Sequence, residues 1–381
     1  MTDAATFYRN KAIHGLYAYV LKPIFFLEDP ETVHDRMTRV GAVLGKYAWG
    51  KAVTHGLFGY ENKILEQDIF GMHFDNPVGL SAGFDKNAEL TGILPSVGFG
   101  FVEVGSITGE RCEGNPKPRL WRLPKSESLV VWYGLKNDGC EAVAKRLAGK
   151  HFDIPVGVSV AMTNCAENLN LDNAIKDFAK AFTVMEPVGD YITVNVSCPN
   201  AQGGQPFVDP KKLEGLFNVL DKIPTKKPVF IKLSPDLSHS ELDSILEAAH
   251  RHRIQGIITT NLTKKRDNPK TAGEPVPDVG GMSGKAVRDL ADDALAYISK
   301  KQHARSNGEK ELVLIASGGI FTAADAYKKI RLGASLVQMI TGMIYEGPQV
   351  IGEINRGLVD LLKKDGFVNI SQAIGADIHT G

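Results

Sequence analysis

The sequence contains no run of about 18 apolar residues, so no segment of it is built to cross a bilayer as a helix. It has no excess of either charge. Its 44 Lys and Arg balance 44 Asp and Glu, which removes the global attraction that polyanion binders use, and nucleic acid is not expected as a partner. Cysteine is scarce: Cys112, Cys140, Cys165 and Cys198 lie far apart with no C-x-x-C pair. That spacing excludes a thiolate zinc cage and a disulfide framework, predicts no metal, and fits a reducing compartment. A long apolar core with a small-residue cleavage site is missing from the N-terminus, so the protein is expected to stay inside the cell.

What is present is an ordinary globular composition over 381 residues, 43% hydrophobic and 23% charged, long enough for a large core. The first 60 or so residues read differently from the rest. Tyr8 to Leu27 is rich in aromatic and aliphatic residues interspersed with Arg9, Lys11 and Lys22. Asp29-Pro30-Glu31 has the form of a helix start, with Asp29 as the cap and Pro30 at the first helical position. A second helix is predicted from about Pro30 to Leu44, with Val33, Met37, Val40 and Val43-Leu44 on one face. Two amphipathic helices of this kind either pack on the body of the protein or dip into a membrane interface.

From Asn76 onward, eight continuous apolar runs recur: Pro77–Ala82, Gly100–Gly105, Pro155–Val160, Tyr191–Val196, Pro228–Leu233, Gly256–Thr260, Leu312–Ser317 and Ser335–Ile340. Unbroken rather than alternating, they fit parallel strands covered on both faces. Helical patterns intervene at Leu169–Thr183, Pro210–Ile223, His239–His252, Lys285–Lys301 and Ala323–Leu332. The rival is an open doubly wound sheet, but no G-x-G-x-x-G opens the first helix. The expected fold is therefore α/β, a (β/α)8 TIM barrel preceded by the helical pair. Segments 107–125 and 264–284 read as long irregular loops, the usual material of lids and cofactor walls.

Such a barrel builds its site at the C-terminal ends of its strands. Three features stand out there. Gly318-Gly319 and Thr341-Gly342 follow the last two strands, where exposed backbone N–H groups commonly hold phosphate; ordinary left-handed turns are the plain alternative. Lys86 and Lys232 lie at strand ends facing the mouth, where an ammonium loses hydration and needs an anion or a polar ring edge, unless it leans out to solvent. Asn195, Asn200 and Asn261 offer amide donors and acceptors to a ligand with imide edges. Cys198 sits among them as a base, a nucleophile or a small buried apolar group.

These residues fall in a series of ordered motifs: NPVGLSAGFDKNAE (76–89), GFVEVGSIT (100–108), GNPKPRLWRL (114–123), NVSCPN (195–200), KLSPDL (232–237), TTN (259–261), GGMSG (280–284), ASGGI (316–320) and LVQMITG (336–342). Together they resemble the dihydroorotate dehydrogenases, FMN-dependent (β/α)8 enzymes of pyrimidine synthesis. The N-terminal helices and DPETVH (29–34) resemble the membrane-associated, quinone-reducing class 2. The resemblance implies oxidation of dihydroorotate to orotate with a quinone as acceptor. It implies a quinone-tunnel extension over residues 1–60, an FMN-binding barrel over 61–381, and a peripheral place on a bacterial or mitochondrial inner membrane. No iron–sulfur subunit is expected.

By the same resemblance FMN contacts Ala82, Gly83, Lys86, Ser106, Ser159, Asn195, Lys232, Thr260, Gly284, Gly318, Gly319, Thr341 and Gly342. Lys86, Asn195, Asn200 and Asn261 hold the substrate, Cys198 takes the base position, and His34 and Arg122 fall beside the quinone tunnel. Lys86 is the expected source of positive potential favouring the thiolate. Four positions depart from the family pattern. Cys198 stands where the quinone class has serine, Val131 replaces an asparagine, Leu262 replaces threonine or serine, and Ile340 replaces a tyrosine. Two alternatives follow: a flavin oxidoreductase of this family acting on another dihydropyrimidine or cyclic amide, or a catalytically silent FMN-binding paralogue.

Overall fold

A computed structural model describes residues 3–304 and 311–378. Eight parallel strands close into a barrel: β1 (Val78–Leu80), β2 (Phe101–Thr108), β3 (Val156–Ala161), β4 (Tyr191–Asn195), β5 (Val229–Leu233), β6 (Gly256–Thr259), β7 (Val313–Ser317) and β8 (Leu336–Met339). Each pairs with its sequence neighbour, and β8 closes on β1 through Val337–Val78 and Met339–Leu80. All eight apolar runs are therefore strands, as expected. Nearly every strand residue is buried, which is why the runs do not alternate. Each fully buried Val, Ile or Leu stabilises the barrel by about 1.5–3 kcal/mol.

The five expected crossover helices are present, at Leu171–Met185, Pro210–Leu220, His239–Arg251, Arg288–Ala304 and Ala323–Arg331. Cys140–Leu147 and Val350–Lys364 add helices that the sequence pattern did not single out. The barrel's lower end is filled by Phe101, Tyr191 and Phe230 and plugged by Phe74 from a hairpin, Gln67–Ile69 with Met72–Phe74. Glycine makes room for these rings. A Cβ on Gly157 would lie 2.0 Å from the Tyr191 ring.

The two segments expected to be irregular each supply a strand. Leu120–Leu123 and Gly281–Gly284 flank Ser128–Val131 in an antiparallel sheet over the barrel mouth. Leu120 and Arg122 share one face of the hairpin, as do Leu129 and Val131, and strands of only four residues beside loop chemistry leave no readable period-2 signal.

At the N-terminus, α1 (Asp3–Leu16) runs through a π-helical turn into α2 (Lys22–Leu27), followed by α3 (Pro30–Leu44) and α4 (Ala48–Phe58). Asp29 caps α3 as expected, its carboxylate accepting from the Thr32 N–H at 2.8 Å. The expected second helix matches, while α4 is an additional one. No helix among the described residues is long and apolar enough to cross a membrane.

Candidate active site

The C-terminal ends of the strands converge on two connected hollows, about 970 and 500 Å³ including their open mouths. Ala82, Lys232, Asn261, Leu262, Ser283, Ile340 and Thr341 line both and form the shared floor. The larger chamber reaches toward α3 and the hairpin, and the smaller hollow is edged by glycine backbone.

The turn after β1 is held by Asp85. Its buried carboxylate accepts the Glu89 and Leu90 N–H groups at 2.8 Å each, pointing the neighbouring Lys86 into the chamber. Gly83 donates to the Gly105 carbonyl at 2.7 Å with φ of 111°. A Cβ there would meet nothing nearer than Ile340 at 3.9 Å, so the glycine keeps one wall flat and open.

A polar ladder crosses the floor. Ser106 and Ser159 share a hydroxyl bond of 2.8 Å, and the Asn195 amide donates to Ser106 at 2.8 Å. The Asn195 carbonyl accepts from Ser197 and from the Asn261 amide at 3.2 Å. The Asn261 carbonyl accepts the Leu262 N–H at 2.9 Å. Asn195 and Asn261 are thus largely satisfied within the protein, whereas the buried Asn200 carbonyl has no partner. Its amide donates to the Val131 carbonyl at 2.9 Å, which fixes that oxygen's direction.

Two lysines serve the site, Lys232 in the shared floor and Lys86 in the larger chamber. Lys232 donates to Ser81 at 2.9 Å and lies 3.9 Å from Glu103, inside the barrel; burial lowers its pKa, opposed by Glu103. Lys86 has no carboxylate within ion-pair distance among the described residues. Its ammonium lies 3.4 Å from His34 and 4.1 Å from the Tyr133 ring centroid, and burial pushes its pKa down to about 8.

Cys198 lines the chamber beside Pro199 and Asn200. Burial pushes its thiol up to about 11, opposed by the Asn200 and Ala201 N–H groups and more weakly by Lys264. The expectation that Lys86 favours the thiolate is corrected here. The cation acting on the sulfur is Lys264, while Lys86 is engaged with His34 and Tyr133.

The smaller hollow gathers Thr260, Gly284, Gly318, Gly319, Thr341 and Gly342. Gly318 and Gly319 have φ of 109° and 73°, and Arg288 donates to the Gly319 carbonyl at 2.8 Å, fixing that loop from behind. Of the residues singled out in the sequence, Lys86, Asn195, Asn200, Asn261, Cys198, Ala82, Gly83, Ser106, Lys232 and His34 line the larger chamber. Ser159 and Arg122 do not line either hollow. Ser159 supports Ser106 from beneath. Arg122 sits at the corner between α2 and α3, donating to the Glu28 carbonyl at 2.8 Å and stacking on Phe26 at 4.6 Å.

Sequence reasoning missed Glu31, Tyr133, Lys136 and Ser283. Glu31 is a buried hub, with Arg119 at 2.8 Å, Lys136 at 3.4 Å and Lys117 at 3.5 Å. Burial pulls its carboxyl upward, but the Arg119 hydrogen bond and the three cations outweigh it and hold the pKa at about 2. Nothing local marks Glu31 as special, because its partners lie about 90 residues away along the chain.

Against known proteins, the family described as Dihydroorotate dehydrogenase matches residues 64–362. A dihydroorotate dehydrogenase (quinone) of Natronomonas pharaonis is 38% identical, covering 96% of this chain and 100% of that protein. One of Nostoc punctiforme is 35% identical, covering 96% and 99%. The crystal structure of DHODH in complex with ferulenol from Eimeria tenella superposes with a TM-score of 0.80 at 30% identity, covering 92% of this chain and 96% of that one.

Proposed function

The chain belongs to the dihydroorotate dehydrogenase family, and from that premise we propose that it converts dihydroorotate to orotate in pyrimidine synthesis, with FMN as its cofactor, Cys198 as the base and a quinone as final acceptor. It is an oxidoreductase, and relatives named for the quinone-dependent activity match it over nearly their whole length. The observation that carries the reading is a chamber lined by Cys198 and Lys86 opening into a glycine-edged hollow across a shared floor.

The residues present suit FMN. Gly83 leaves one wall free of any side chain, and Lys232 is a buried cation whose nearest carboxylate is 3.9 Å away, which leaves it charge for an electron-rich ring edge. Ser106, Asn195 and Thr260 supply polar edges, and the Gly318-Gly319 turn with Thr341 and Gly342 supplies a phosphate cradle. When bound, FMN takes up the hydride equivalent that leaves C6 of the substrate.

The protein's own part is positioning and proton transfer. The unpartnered Asn200 carbonyl accepts a ring N–H of the substrate, since a buried acceptor left empty costs about 1–3 kcal/mol. Lys86, without a carboxylate of its own, receives that of dihydroorotate. Cys198, as the thiolate, takes the C5 proton on Sγ and becomes the neutral thiol. A quinone at the N-terminal helices would take up the two electrons. Among the described residues, fifteen of nineteen exposed large hydrophobic side chains precede residue 58. Tyr19, Leu27 and Trp49 are 84%, 89% and 61% exposed, a distribution suited to seating in a lipid interface.

The test is to purify the protein and add dihydroorotate without oxygen. A yellow protein that bleaches supports the reading, and a colourless one removes it. Val131 and Leu262 present apolar side chains to the chamber, which favours dihydrouracil or a related ring as the alternative substrate. Bleaching by dihydrouracil and not by dihydroorotate selects that alternative.

A further inference from the structure

His34 faces inward. It is carried on α3, one turn after Glu31, so the two share a helix face, and Glu31 is locked to Arg119 and Lys136, which flank the hairpin over the barrel mouth. The His34 ring stands edge-on to Phe84, with centroids 4.8 Å apart and an interplanar angle of 85°. Its Nε2 lies 3.4 Å from the Lys86 ammonium. An ammonium only donates, so Nε2 accepts.

We propose that His34 is the positioning residue for Lys86: seating of the N-terminal helices supplies the acceptor that aims the ammonium into the chamber and thereby completes the anion-binding half of the substrate site. The inference rests on the dihydroorotate reading for the identity of the anion, but not for the His34–Lys86 contact itself.

The surroundings make this contact matter. The groups facing Lys86 are Asp35 and Glu31 from α3, Lys136 and the Tyr133 ring from the segment after the hairpin, and Asp85 from its own turn. Glu31 is already spent on three cations, and Asp85 on two backbone N–H groups. The Tyr133 hydroxyl is buried without a partner, and only its ring face meets the ammonium. His34 is thus the only side-chain nitrogen or oxygen within hydrogen-bond reach of Lys86 Nζ among the described residues. Burial, with Lys86 next, pushes the His34 pKa down to about 3, so the ring stays neutral and able to accept throughout the physiological range. This contact joins the N-terminal helices to the turn after β1.

Two substitutions separate positioning from packing. His34→Phe keeps an aromatic ring against Phe84 and removes the acceptor, whereas His34→Gln keeps an acceptor near the Nε2 position and removes the ring. His34→Leu poses the first question again if His34→Phe does not fold. In the flavin-loaded protein, the pH dependence of Lys86 modification by cyanate is read by peptide mass spectrometry, and orotate binding is read by perturbation of the flavin spectrum. Positioning predicts that His34→Phe lowers the Lys86 midpoint by about one pH unit and weakens orotate about tenfold, while His34→Gln stays near wild type in both. An unchanged Lys86 midpoint in His34→Phe, or a loss in His34→Gln as large as in His34→Phe, overturns the inference. Failure of the wild-type protein to bind orotate counts against the dihydroorotate reading instead, and the Lys86 midpoint still decides the role of His34.

Discussion

The thiol of Cys198 gives the sharpest dependence on conditions. Burial places its pKa at about 11, well above the ordinary value near 8.5. At pH 7 the thiolate is then about one part in 10⁴, and at pH 9 about one in 10². If the thiolate removes the C5 proton, the limiting rate of flavin bleaching rises about tenfold per pH unit, or about 100-fold between pH 7 and 9. The measurement is anaerobic stopped-flow at saturating dihydroorotate. Saturation matters because Lys86, with a pKa of about 8, loses its charge over the same range and weakens substrate binding as pH rises. Limiting rate and affinity therefore move in opposite directions: the first climbs through pH 9 while the dissociation constant worsens above pH 8. A limiting rate that is flat from pH 7 to 9, or one that levels off near pH 8, refutes the argument that the thiolate of a buried, mostly protonated Cys198 is the base.

Three further outcomes are expected. Cys198→Ala retains flavin and orotate binding but bleaches about 10²–10⁴-fold more slowly, checked in the same stopped-flow experiment. Glu31→Gln leaves Arg119 buried beside an uncharged partner and lowers stability by about 2–4 kcal/mol in urea unfolding. Because the Glu31 pKa is depressed in the folded state, its contribution is complete above about pH 5 and is lost as pH falls toward about 2, so wild type and Glu31→Gln converge in acid. Gly157→Ala drives a methyl group into the Tyr191 ring and costs about 1–3 kcal/mol or more, read by the urea midpoint.

The barrel was readable in the sequence because every strand is covered on both faces, so burial writes itself as eight unbroken apolar runs. The mouth residues were readable for a related reason: the ends of parallel strands all point one way, and Lys86, Cys198, Asn261 and Gly319 each lie within four residues of the end of a run. What escaped depends on distance along the chain. Glu31 looks like a helix-start acid until Arg119, Lys117 and Lys136 are folded around it. Tyr133 shows its role only when Lys86 is set over its ring. The source of potential at Cys198 was assigned to Lys86 from proximity to the mouth, whereas the turn after β1 carries that ammonium toward α3 and leaves Lys264 as the cation acting on the sulfur. The strands inside the two long loops were missed because four residues are too few for a pattern. The apolar surface of α1 to α4 was visible as composition, and the fold adds that it stays exposed.

The most direct measurement is a crystal structure of the flavin-loaded protein with orotate bound. The account predicts the orotate ring between the flavin and residue 198, with Sγ about 3–4 Å from ring carbon C5, the Asn200 carbonyl on a ring N–H and Lys86 at the carboxylate. A ring seated outside this chamber, or a sulfur turned toward the protein with another group facing C5, would contradict it.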